Sequence, residues 1–126
     1  MKHAWSRPAM LAAVLVMGTA VSAHAETAGE KLYKQQCAAC HAVKPDAPMG
    51  MGPNLHGILG KSAGKMAGFP YSDEFKAGLD GKSWTPELLD QWLEQPQKVA
   101  KGTYMMYQQA DPEIRKAIIE YLQTVR

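Results

Sequence analysis

Cys37-Ala38-Ala39-Cys40-His41 is the stretch around which this 126-residue chain is arranged. Two cysteines separated by two residues, with a histidine directly after, form the pattern of a c-type haem attachment site. The spacing has a chemical reason. One turn of backbone lets two thiols reach two vinyl groups on the same macrocycle edge and form two thioethers. The next side chain, His41, is then carried beneath the ring, where an imidazole nitrogen can bind iron. These are the only two cysteines in the chain, so no disulfide can form elsewhere. In an oxidising compartment a Cys-x-x-Cys pair could instead act as a redox-active disulfide. The adjoining His41 and the lack of a strand-helix-strand pattern weigh against that reading.

Upstream of the motif, Lys2 and Arg7 give a positive start, and Ala9 to Met17 form an unbroken apolar run. Ala23-His24-Ala25 then supplies the small-x-small pattern of a cleavage site, so residues 1–25 read as a cleaved secretory signal peptide. The run falls well short of the ~20 residues a spanning helix needs, and no other segment could cross a membrane. With no twin arginine, the general secretory route is expected, and the mature domain, 26–126, starts at Glu26. The expected location is the periplasm.

The chain has 14 basic and 12 acidic residues, a net charge of +2. Lys2 and Arg7 account for that excess, and every acidic residue lies at Glu26 or later, so the mature part is formally neutral. A broadly basic surface for nucleic acid or anionic lipid is therefore unsupported. A domain of about a hundred residues buries a modest fraction of its surface, and a large apolar cofactor would help it fold.

Along the mature chain, Thr27 caps a short helix with Glu30 completing a capping box. Leu32, Tyr33 and Cys37 follow at helical spacing with Gly29 on the same side, where a glycine suggests close approach by another element. From Ala42 to Pro70, four prolines and repeated glycines predict a loop, of a length that makes sense when wrapped around a cofactor. Ser72 or Asp73 starts a short helix through Phe75 and Leu79. Thr85 caps the next, with Pro86 in its first turn, Leu88, Leu89, Trp92 and Leu93 as its apolar stripe, and Pro96 ending it. Asp111-Pro112-Glu113 opens a final helix, in which Ile114, Ala117, Ile118, Tyr121, Leu122 and Val125 keep an i, i+3, i+4, i+7 pattern. Its expected partner is the Gly29 face of the first helix. No alternating strand pattern or internal repeat is present.

From about Gly29 to Arg126 the chain resembles class I cytochromes c, most closely the mitochondrial type and bacterial c2 and c550 proteins. The resemblance runs through Cys37-Ala38-Ala39-Cys40-His41, Gly52-Pro53-Asn54-Leu55-His56-Gly57, Gly68-Phe69, Tyr71 and Trp84. It continues in Leu93-Glu94-Gln95-Pro96, Gly102-Thr103-Tyr104-Met105, and Ile118, Tyr121 and Leu122. It implies an all-α class I cytochrome c fold, three to five helices wrapped around one covalently bound haem c. Cys37 and Cys40 would attach the haem, and His41 and Met105 would be the axial ligands. Met105 holds the methionine position of the family's Gly-Thr-x-Met pattern. Met106 competes with it, since adjacent residues on an extended segment point to opposite sides and only one can face the iron. Met49, Met51 and Met66 read as packing or surface residues, and His56 as a loop histidine.

The resemblance further implies that the Pro53 carbonyl orients the imidazole of His41 and that Tyr71, Trp84 and Thr103 bond a buried haem propionate. Leu55, Leu93 and the last helix would line the pocket; ordinary core packing is the alternative for Tyr71 and Trp84. Three departures stand out. Trp92 replaces a tyrosine that usually donates to the methionine sulfur, and an indole N–H lies elsewhere on a larger ring, leaving that bond open. Lys61 stands where an arginine usually supports a propionate, and the two differ in geometry. The lysine excess used by mitochondrial proteins for docking is missing. The implied function is one-electron transfer between larger redox proteins, not enzymatic catalysis. The implied partners are a cytochrome bc1 complex, a terminal oxidase, or a periplasmic reductase or dehydrogenase, met transiently by a monomer. The competing reading is a haem with a labile sixth ligand, acting as a peroxidase or small-gas sensor.

Overall fold

The computed structural model describes residues 18, 20 and 22–126, so most of the expected signal peptide lies outside the described residues. Five helices follow in order: α1 Ala28–Gln36, α2 Asp73–Leu79, α3 Pro86–Glu94, α4 Pro96–Val99 and α5 Pro112–Thr124. Among the described residues there is no strand, only a lone bridge between Ser62 and Ser83.

Each longer helix starts where its capping residue stands. Thr27 Oγ1 accepts from the Glu30 N–H at 3.1 Å, Ser72 Oγ from Phe75 at 3.0 Å, and Thr85 Oγ1 from Leu88 at 3.1 Å. Asp111 Oδ1 accepts from the Glu113 N–H at 2.9 Å, ahead of Pro112 at the first position of α5. Each bond satisfies one of the donors that a helix start leaves without an internal partner. The capping box of α1 is only half as expected: the Glu30 carboxylate pairs with Lys34 at 2.8 Å, one turn along the helix. Pro96 does end α3, but it also opens α4. Gln95 is extended there (φ −158°, ψ 93°), and proline is favoured in a first helical turn because its missing N–H would have no partner.

Helix α1 crosses α5 at Gly29, as its position on the inward face requires. A Cβ on Gly29 would overlap the Ala117 carbonyl oxygen and sit 2.8 Å from Tyr121 Cβ, so only glycine lets the helices approach this closely. Beside the crossing, the Tyr33 and Tyr121 rings lie 5.4 Å apart. Ile118, Ile119 and Leu122 of α5 are buried against Leu89, Trp92 and Leu93 of α3. Arg115 of α5 is buried too. Its Nε bonds Asp90 of α3 at 2.7 Å, and its Nη1 donates to the Gln109 and Ala110 carbonyls at 3.0 and 2.9 Å.

The segment between α1 and α2 carries no helix and is held by scattered bonds. Gly52 N–H donates to the Cys40 carbonyl at 2.9 Å, Leu55 to Ala42 at 2.7 Å, Gly57 to Val125 at 2.9 Å and Gly60 to Trp84 at 2.8 Å. Asn54 pins its first half from inside. The buried amide donates to the Lys44 and Ala47 carbonyls at 2.7 and 3.3 Å and accepts from the His56 N–H at 2.9 Å. The wrapping loop therefore returns to α1, α5 and the Trp84 backbone, enclosing the space in between.

Candidate functional site

That space is a cavity of about 430 Å³, within the size range of cofactor sites. Cys37, Cys40 and His41 line it from the end of α1, and Leu55 and Ile58 from the wrapping loop. Tyr71, Phe75, Trp84, Leu89, Trp92 and Leu93 come from the middle of the chain, and Met105 from the segment before α5. The lining is overwhelmingly apolar, which suits a flat hydrophobic ring rather than a polar substrate.

The Cys37–His41 turn is a continuation of α1. The Cys37 and Ala38 N–H groups both donate to the Tyr33 carbonyl at 2.8 and 3.1 Å, and those of Cys40 and His41 both reach the Cys37 carbonyl at 3.0 Å. The buried phenol of Tyr33 donates to the His41 carbonyl at 2.6 Å, tying the end of the turn back to the helix. Burial lifts this phenol from 10.0 to about 12, so it stays a donor at any physiological pH. Burial, with a smaller contribution from Cys40, pushes the Cys37 thiol up to about 11.

His41 is oriented as a ligand would be. Its Nδ1 lies 2.8 Å from the Pro53 carbonyl oxygen, the acceptor expected from the resemblance. A carbonyl accepts only, so Nδ1 carries the proton and Nε2 keeps its lone pair. Burial lowers the imidazole's affinity for a second proton, with the Pro53 bond pulling the other way, so the neutral form is favoured. Gly52, just before Pro53, leaves room for this ring: a Cβ there would overlap His41. The Gly52-Pro53 pair thus supplies both clearance and acceptor.

Met105 and Met106 both border the cavity but differ in how they are covered. Met106 is 76 % exposed, whereas Met105 packs against the buried core. Trp92 Nε1 donates to Met105 Sδ at 3.2 Å. The larger ring of Trp92 therefore does reach the sulfur, and the bond that the tyrosine replacement left open is present. Trp92 is held in place by Phe75 and Trp84, whose rings stand nearly perpendicular and tilted to it at 5.2 and 5.7 Å.

Tyr71, Trp84 and Thr103 all line the cavity, but Lys61 does not. Its ammonium donates to the His56 carbonyl at 2.9 Å on the exposed side of the loop. Trp84 and Thr103 are largely buried, but among the described residues no fully enclosed side-chain nitrogen or oxygen lacks a partner. The indole N–H and the hydroxyl, which have no protein partner, therefore open on the cavity they line. Met49 and Met51 are exposed. His56 is a loop histidine bonded through Nδ1 to the Val43 carbonyl at 3.0 Å. Asn54, Gln36 and Arg115 hold the site without any motif of their own apart from Asn54's place in the Gly-Pro-Asn-Leu run.

Among the described residues, no group of three or more His, Cys, Asp or Glu side chains could hold a metal ion by itself. One imidazole, one thioether and two thiols around an apolar cavity are instead the set of groups that a covalently bound haem would take from a protein. The residues present fit a haem c. Among the described residues, no helix is long and apolar enough to cross a membrane.

Comparison with known proteins agrees with this geometry. Residues 24–122 match a family model described as cytochrome c oxidase, cbb3-type, subunit III. The chain is 38 % identical over 118 residues to cytochrome c2 of Rhodomicrobium vannielii, covering 92 % of each chain. It is 41 % identical over 91 residues to cytochrome c-550 of Ancylobacter novellus, covering 71 % of this chain and 85 % of that one. With cytochrome c of Ginkgo biloba it shares 38 % over 96 residues, or 75 % and 83 % of the two chains.

Proposed function

Since the chain belongs to the cytochrome c family, we propose that it is a periplasmic one-electron carrier whose haem is attached through Cys37 and Cys40 and ligated by His41 and Met105. Cytochromes c are electron-transfer proteins rather than enzymes. A bound haem supplies one reversible electron at its iron, and a histidine–methionine ligand pair favours the reduced state.

The observation that carries the reading is the Trp92–Met105 bond inside the cavity that the Cys37–His41 turn lines. It orients the sulfur of the partly buried Met105, whereas Met106, which also borders the cavity, is mostly exposed and has no bond to Trp92. The Pro53 carbonyl does the same for His41, presenting Nε2 to the cavity. His41 and Met105 would together hold the iron of such a haem, which would leave oxygen and peroxide no place to bind and would let an electron be exchanged with little rearrangement. Trp84 and Thr103, uncommitted to protein partners, support the assignment of these residues, with Tyr71, to a haem propionate.

Export is supported by the charged start, apolar run and Ala23-His24-Ala25 site of residues 1–25, and the mature domain then spans 26–126. Partners are larger redox proteins, among them a cytochrome bc1 complex, a terminal oxidase or a periplasmic reductase or dehydrogenase. They meet a monomer in small transient interfaces. A formally neutral domain makes long-range lysine steering a minor part of that encounter.

Absorption spectroscopy of the oxidised, haem-bearing protein tests the ligand set. A sulfur-to-iron charge-transfer band that survives added cyanide is expected, lost in Met105→Ala and kept in Met106→Ala. A high-spin spectrum would refute the carrier and favour a peroxidase or gas sensor. Export is checked by the mass of the periplasmic product, which should begin at Glu26.

A further inference from the structure

Met105 sits in a stretch with little backbone support. Among the described residues, the backbone from Tyr104 to Gln108 makes no backbone hydrogen bond; Thr103 N–H reaches Ala100 and Gln109 N–H reaches Leu93 on either side. What holds the stretch is side chains. Upstream, Gln97 accepts from the Gly102 N–H at 2.8 Å and donates to the Thr103 carbonyl at 2.8 Å. Downstream, Gln36 Oε1 accepts twice, from the Tyr107 hydroxyl at 2.6 Å and from Gln109 Nε2 at 3.0 Å.

The direction of these bonds is set by a chain of necessity. The Asp111 N–H donates to Gln109 Oε1 at 3.0 Å, so Gln109 turns its amino group to Gln36 and needs an acceptor there. Gln36 is the last residue of α1, directly before Cys37. Its amide therefore joins the end of the Cys37 helix to the segment that carries Met105, across 71 and 73 residues of sequence.

We infer that Gln36 is a positioning residue for the sixth ligand: its double acceptor, clasping Tyr107 and Gln109, keeps the Met105 sulfur on the haem iron. The inference rests on Met105 being that ligand. Releasing the clasp frees residues 104–108 to swing outward from the Gln97 end, and an outside ligand then competes with the sulfur more easily. Two neutral hydrogen bonds, each of modest net worth, amount together to about tenfold in that competition.

The test is an imidazole titration of the oxidised, haem-bearing protein, followed by absorption, because neutral imidazole is a good iron ligand. Gln36→Leu should bind imidazole about tenfold more tightly than the parent, and Tyr107→Phe about threefold. Gln36→Glu, which keeps an acceptor oxygen, should stay within about twofold of the parent. Gly29→Ala, which strains the distant α1–α5 crossing, should leave imidazole affinity unchanged. The inference is overturned if Gln36→Leu and Tyr107→Phe both titrate like the parent, or if Gly29→Ala tightens imidazole binding as much as Gln36→Leu. Should Gln36→Leu not fold, Tyr107→Phe alone decides. Equal imidazole affinity in the parent and Met105→Ala would show that Met105 is not the displaced ligand, a failure of the underlying assignment that does not involve Gln36.

Discussion

The indole Nε1 of Trp92 lies 3.2 Å from the sulfur of Met105 and donates its proton to it. Trp92 is buried on α3, wedged between Phe75 and Trp84, so the donor cannot swing away. If Met105 ligates a haem iron as proposed, this hydrogen bond would withdraw electron density from the sulfur that would otherwise stabilise oxidised iron. Trp92→Phe should therefore lower the reduction potential, by at most about 50 mV if a neutral hydrogen bond differs between the two redox states by its full worth. Equilibrium voltammetry of the haem-bearing variant checks this; an unchanged or raised potential would contradict the assignment.

Gly29 sets the distance between α1 and α5. An added methyl has the Ala117 carbonyl and Tyr121 Cβ in its way, and backbone cannot rotate aside as a flexible side chain can. Gly29→Ala is expected to cost about 1–3 kcal/mol of unfolding free energy, and Gly29→Val more, despite the better intrinsic helix propensity of alanine. Guanidinium unfolding of the haem-bearing protein gives the difference.

Asn54 serves three backbone groups of the wrapping loop from a buried position. Asn54→Ala leaves the Lys44 and Ala47 carbonyls and the His56 N–H to find water. A loss of about 2–4 kcal/mol follows. The damage should begin locally, so limited proteolysis is expected to cut near Lys44 before any other site.

Tyr33 gives a pH dependence with a definite sign. Its phenol titrates near 10.0 when free and near 12 when buried beneath His41, burial being the main cause. Below pH 10 both folded and unfolded forms are protonated, and the full stability is present. Between about 10 and 12 the unfolded chain ionises first, so stability falls as pH rises, by at most about 2–3 kcal/mol from this group. Tyr33→Phe should flatten that part of the alkaline unfolding curve while losing the bond to the His41 carbonyl; equal slopes in parent and variant would rule the effect out.

How much of this was legible beforehand depends on the range of the interaction. The caps at Thr27, Ser72, Thr85 and Asp111 lie within three residues of their partners, so residue type and position sufficed to locate four helix starts. The period of Ile118, Tyr121 and Leu122 and the single inward glycine foretold the α1–α5 crossing. Pro96 was legible as an end but not as a beginning, because proline is compatible with both and the extended Gln95 decides between them. The return half of the Glu30 capping box failed because Lys34, one turn away, offers the carboxylate a charged partner.

Residue types and their spacing were enough for the Cys37–His41 turn, the family and four helix starts, because motif spacing, caps and periodicity act over one or two turns of chain. Which methionine packs against the core, that the Trp92 indole reaches its sulfur, and that Gln36 clasps Tyr107 and Gln109 emerged from the folded chain alone. Those outcomes depend on where side chains 13, 71 and 73 residues apart come to rest, and packing around the cavity, not local chain preference, sets such distances.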